Sequence, residues 1–175
     1  MAISNHERMG RGLELVRKGL LPYAERELKA FYGQLWWRDG VEGALRGRIG
    51  AEAKGGESEE ESFAALDVQA LLLILWENWN QVFHAKLGHM GRTYVSELRE
   101  VRNKWAHQQA FTAEDAYRGL DTMHRLLEMI GAAPEAESIS ASAREMMRQR
   151  LEEEAKLEIR RRAETITETR TPSGL

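Results

Sequence analysis

The chain has 175 residues and a mass of 20.0 kDa, enough for one domain with a buried core and an appendage. It carries 25 Lys and Arg against 28 Asp and Glu, a net charge of −3, and no cysteine. This balance argues against coating duplex DNA by bulk electrostatics, and the lack of thiols excludes disulfides, thiolate zinc sites, iron–sulfur clusters and a cysteine nucleophile. Three prolines, at 22, 134 and 172, are too few for the turns of a sandwich or barrel, so an all-α domain is expected. The longest apolar run, Ala70 to Trp76, is too short to span a bilayer, and the first residues lack a signal peptide's basic flank and apolar stretch. A soluble cytoplasmic protein with no membrane contact is the expectation.

Ser4 and Glu7 have capping-box spacing, and Met9, Leu13, Val16 and Leu20 form one face of the helix that follows. Pro22 should interrupt or restart it, and Gly33 should stop it. Residues 38–62 are rich in glycine and end in an acidic run, which predicts a long mobile loop with room for a short helix around Val41–Arg46. Asp67 can cap the most apolar helix, Val68 to about Leu87, expected to be central and buried, with Trp76 and Trp79 in the core. The Gly88-His89-Met90-Gly91 turn should end it, with Thr93 capping a helix on which Tyr94, Leu98, Val101 and Trp105 face inwards. Thr112 and Asp115 start another, running to Gly131. The predicted fold is a bundle of four to five helices over residues 1–131. A small-residue linker (132–143), a charge-dense helical extension (144–166) with a thin stripe of Met147, Leu151, Ala155 and Ile159, and a disordered end (167–175) should follow.

The segment richest in chemistry is Arg102-Asn103-Lys104-Trp105-Ala106-His107. Asn103 and His107 are four apart and share a helix side, and Arg102 lies about 100° around from Asn103. One wedge of the helix end can thus present a guanidinium, an amide and an imidazole. Such a set suits RNA cleavage without metal. The imidazole transfers protons near neutrality, the guanidinium stabilises charge on the phosphate, and the ribose 2′-hydroxyl is the nucleophile. Between His84 and His107, Lys86, Arg92, Arg99, Arg102 and Lys104 face only Glu97 and Glu100, a local charge of +3. The bland alternative is a solvated face whose cations pair with neighbouring carboxylates.

The six-residue segment resembles the signature of the HEPN superfamily: Arg, a polar residue, three variable residues, then His. Its surroundings, Leu87-Gly88-His89, Val95 to Gln108 and Phe111 to Asp121, look like the Swt-type branch, named for a eukaryotic RNA-surveillance endonuclease. Asn5-His6-Glu7-Arg8 and Tyr23 to Leu28 look typical of its prokaryotic members, so the resemblance covers about residues 3–131. It implies an HEPN-type bundle acting as a metal-independent endoribonuclease in a phage-defence or toxin system, with 2′,3′-cyclic phosphate products. By resemblance Arg102 and His107 are catalytic and Asn103 supporting, in a cleft between the two protomers of a homodimer. Lys104, Arg99, Arg92, Lys86 and His89 would contact RNA. The rival expectation is a non-catalytic dimerisation or docking module attached to, or recruiting, an ATPase or helicase effector. No cofactor is called for. His84 and His89 lack the partners that would complete a metal site, His6 and His124 carry no partner pattern, and the glycines at 40–56 lack the lysine–hydroxyl pair of a phosphate-binding loop.

Overall fold

A computed structural model describes residues 2–46 and 58–170, and the regular structure among them is entirely helical. Helix α1 (Asn5–Tyr32) opens where the Ser4 hydroxyl accepts the Glu7 N–H at 3.0 Å. Met9, Leu13, Val16 and Leu20 are buried along it, as their spacing predicts. Pro22 does not break α1, which continues to a stop at Gly33. Pro22 is exposed, and burial of Leu20, Tyr23 and Ala24 on either side offsets the lost N–H bond, about 3 kcal/mol in an unsupported helix.

In the described parts of the expected mobile loop, residues 38–46 and 58–62, the chain is packed structure. A 3₁₀ turn (Gly33–Leu35) widens into π-helical turns (Trp36–Glu42), followed by α2 (Gly43–Leu45) and, later, α3 (Glu59–Ala64). Trp36, Val41, Ala44 and Leu45 are buried. The adjacent indoles meet edge-on at 5.9 Å; Trp36 also meets Phe63 of α3 edge-on at 5.5 Å, and Trp37 Nε1 donates to Glu42. Buried Asn78 donates to the Gly40 carbonyl at 2.8 Å and accepts the Tyr32 hydroxyl at 2.7 Å. Glycine lowers helix propensity there, but these tertiary contacts override it. Part of the expected loop, residues 47–57, lies outside the described residues.

Asp67 caps α4 (Val68–Glu77), accepting the Ala70 N–H at 2.8 Å. The single helix expected to Leu87 is divided: α4 leads through a π-helical segment (Trp79–Phe83) into α5 (His84–Ala106). The expected stop within Gly88-His89-Met90-Gly91 falls at Gly88 alone, whose non-helical φ of 62° and ψ of −169° suit a residue without Cβ. The helix resumes at His89, and Thr93 is no cap: its hydroxyl donates back to the His89 carbonyl at 3.3 Å. Helix α6 (Ala113–Met129) is capped by Thr112, which accepts the Asp115 N–H.

Residues 132–143 are not a linker. Helix α7 runs unbroken from Ala133 to Arg170, and Ala136, Ile139 and Met146 are buried against the bundle. Pro134 stands in the first turn, where backbone N–H groups have no helical acceptor, so it costs nothing there. Its small neighbours allow close packing on α1 and α6. Arg8, 2% exposed, donates to the carbonyl and hydroxyl of Ser142 and to Gln149 Oε1. Residues 151–170 are all exposed, and the helix continues through 167–170, where disorder was expected.

Helix α1, rather than α4, is central: it packs against α4, α5, α6 and α7. Among the described residues, no helix is long and apolar enough to cross a membrane.

Candidate active site

The end of α5 is held from below by α1. Asn5 Nδ2 donates to the Phe111 carbonyl at 3.0 Å, and His6 stacks on Trp105 with centroids 5.6 Å apart and planes 15° apart. A Cβ on Gly10 would lie 2.8 Å from Trp105 Nε1, so α1 approaches the indole at a distance that suits glycine. Trp105 is therefore fixed on its inner side, which leaves Asn103 and His107 exposed.

Arg102 is half-buried. With Asn103 and Arg99 it lines a cavity of about 90 Å³ against Gln69, Leu72 and Leu73 of α4. His107 follows one turn later as the helix cap, its N–H donating to the Asn103 carbonyl at 3.0 Å. Gln108 then takes a left-handed conformation, φ 57°, which turns the chain away. No hydrogen bond joins the side chains of Arg102, Asn103 and His107. The motif is thus three groups on one helix end, two of them sharing a cavity and the third standing free in solvent.

The expected RNA-contacting cations separate into two groups. Lys86 pairs with Glu27 of α1 at 2.7 Å. Lys104 pairs with Asp115 of α6 at 3.2 Å and lies over the Phe111 ring. These two lysines therefore have carboxylate partners on neighbouring helices. By contrast, Arg92, Arg99 and Arg102 have no carboxylate partner among the described residues. The guanidinium carbons of Arg92 and Arg99 lie 4.7 and 5.1 Å from the centroid of Trp76. His89, Arg92, Ser96, Arg99, Asn103 and His107 share one side of α5, a stripe about 27 Å long.

The sequence pattern puts Trp76 in the core with Trp79. Trp79 is buried, but Trp76 is half-buried and is the surface on which two arginines rest. The signal was present: Arg92 and Arg99 are seven apart and so face the same neighbour. His6 was likewise given no partner, because its contact with Trp105 spans 99 residues.

Two neighbouring carboxylates, Glu97 of α5 and Asp115 of α6, are paired. Burial pushes the Glu97 carboxyl up, but bonds from Arg118 and Thr122, both 2.7 Å, and the Arg118 charge outweigh it and hold it below the usual carboxylate range. The hydrogen bond from Lys104, then that from Thr112, lowers Asp115. Among the described residues no group of three or more His, Asp or Glu is arranged to hold a metal ion.

No curated protein and no solved structure matches the chain. The family model described as Swt1-like HEPN matches residues 11–131, from the first turns of α1 to the stop after α6 and so across the whole Arg102–His107 helix. With an all-α bundle carrying that helix on its surface, the chain belongs to the Swt1-like HEPN family.

Proposed function

We propose that the chain is a metal-independent endoribonuclease acting in a phage-defence or toxin system. The observation that carries this reading is the intact Arg102-Asn103 and His107 set at an exposed helix end, in a chain whose family is nuclease-like. Arg102 pairs with the non-bridging oxygens of the scissile phosphate as their charge grows. His107 moves a proton at the 2′-oxygen or the 5′-oxygen, and Asn103 orients the ribose or the imidazole. Attack by the 2′-hydroxyl breaks the bond from phosphorus to the 5′-oxygen, leaving a 2′,3′-cyclic phosphate and a 5′-hydroxyl.

That reaction removes one proton and supplies another, and each protomer brings one motif histidine. A twofold homodimer with two such helices facing one cleft provides both groups. Arg92, Arg99 and His89 extend the contact with the RNA strand. Substituting Arg102→Ala or His107→Ala abolishes cleavage without unfolding the protein, and EDTA leaves the parent active. Activity that vanishes in EDTA and returns with magnesium contradicts the mechanism. Full activity from a strict monomer in light scattering contradicts the shared cleft.

A second reading, a docking module for an ATPase or helicase, draws on the exposure of residues 151–170, where Leu151, Leu157, Ile159 and Ile166 are uncovered. Loss of binding to such a partner on removal of these residues, in a protein inert towards RNA, would favour it.

A further inference from the structure

One turn or more before the motif, α5 and α4 form an open surface cavity of about 350 Å³ lined by Trp76, His89, Arg92, Thr93, Ser96, Glu97 and Glu100. Its size falls at the lower end of the range for small-ligand sites and exceeds what one nucleobase requires. One wall is the Trp76–Arg92 pair. The Arg92 guanidinium carbon lies 4.7 Å from the Trp76 ring centroid and Arg92 is exposed, so the guanidinium rests on the indole while remaining accessible to a second planar group. Arginine planes held in this way are a common surface for an unstacked RNA base.

The α5 wall also carries two carboxylates of different character. Glu97 is occupied by Arg118 and Thr122. Glu100 is exposed and has no hydrogen-bond or ion-pair partner among the described residues. A carboxylate accepts and does not donate, so it favours a base edge that bears an amino group: cytosine N4, adenine N6, or the guanine N1 and N2 edge. Uracil carries no amino group, and its single N3–H donor is flanked by two carbonyl oxygens that meet the same charge. Ser96, midway along this wall, precedes Asn103 by seven residues, about 10 Å along the helix, a separation suited to a nucleotide near the cleaved bond but not at it.

We propose that this cavity is a base-selecting subsite. Arg92, backed by Trp76, stacks the base of a nucleotide flanking the scissile phosphate, and Glu100 selects an amino-bearing base over uracil. The proposal rests on the endoribonuclease reading for the identity of the strand, and its selectivity rests on Glu100 alone.

The test uses the His107→Ala protein, which leaves the RNA intact, and fluorescence anisotropy with labelled oligo(C), oligo(A) and oligo(U) of equal length. Oligo(C) and oligo(A) should bind more tightly than oligo(U) by about tenfold. Adding Glu100→Gln, which supplies an amide donor that uracil can accept, should reduce that ratio to nearly one while thermal unfolding stays unchanged. Adding Trp76→Leu should weaken all three alike. Equal affinities in the first protein, or a ratio that survives Glu100→Gln, overturn the subsite. Cleavage of a random-sequence RNA pool by the unsubstituted protein separates the two claims. Cleavage with no base preference removes the subsite and keeps the nuclease, whereas selective binding without cleavage does the reverse.

Discussion

The His6 imidazole lies almost parallel to the Trp105 indole, and its Nε2 is 3.0 Å from the Trp105 carbonyl oxygen. Two residues 99 apart are thus joined both face to face and edge to backbone. With the close approach of Gly10 to the same indole, this contact ties the last turn of α5 to the start of α1. His107, two residues beyond Trp105, takes its position from it.

Replacing His6 with Ala removes the stack and the hydrogen bond while leaving the motif intact. We expect a stability loss of about 1–2 kcal/mol and a fall in RNA cleavage of about tenfold through misplacement of His107. Hydrogen exchange at Trp105 to Gln109 should accelerate more than at Leu98. Unchanged cleavage would show that the helix end holds its position without His6.

The boundary of the folded unit can be located by truncation. Cutting after Gly131 removes the buried Ala136, Ile139 and Met146 and leaves the Arg8 guanidinium without Ser142 and Gln149, so the protein should unfold or lose at least about 5 kcal/mol. Cutting after Arg150 removes only exposed residues and should change the melting temperature little. The Arg8→Ala substitution alone should cost about 3 kcal/mol by denaturant titration.

Glu97 supplies a pH dependence with a definite sign. Its carboxyl is held below its unfolded value, so its contribution to stability is complete above the unfolded pKa and is lost as pH falls through the folded one. Replacing Thr122 with Val, or Arg118 with Ala, should move the Glu97 midpoint upwards in an NMR titration and shift acid unfolding to higher pH. A midpoint that stays put would mean that these partners do not hold the charge.

Gln108 adopts a left-handed backbone conformation at a helix C-terminus, where glycine is usual. Gln108→Gly should therefore stabilise the protein by about 0.5–1 kcal/mol in thermal melts. Destabilisation would indicate that the glutamine side chain anchors the turn.

Much of this architecture is local and was legible in the sequence. Ser4, Asp67 and Thr112 each cap the helix expected of them, because a side-chain acceptor three residues before an orphan N–H acts within one turn. The features misread depend on partners distant in the chain. Gly40 looked like loop, but its carbonyl is bonded by Asn78. Ala136 and its small neighbours looked like a linker, yet small size is what lets α7 lie against α1 and α6. At the site, Arg102, Asn103 and His107 were legible as a motif, and the structure locates them on one exposed helix end. The commitment of Lys86 to Glu27 and of Lys104 to Asp115 was not, since both carboxylates belong to other helices.

The central claim concerns how RNA is cut, and product ends report it most directly. Purified protein should be incubated with a defined RNA in EDTA, with the His107→Ala protein in parallel, and the termini assigned by mass spectrometry. The account predicts 2′,3′-cyclic phosphate and 5′-hydroxyl ends from the parent and intact RNA from the variant. Ends bearing 3′-hydroxyl and 5′-phosphate, or equal cleavage by the His107→Ala protein, would contradict it.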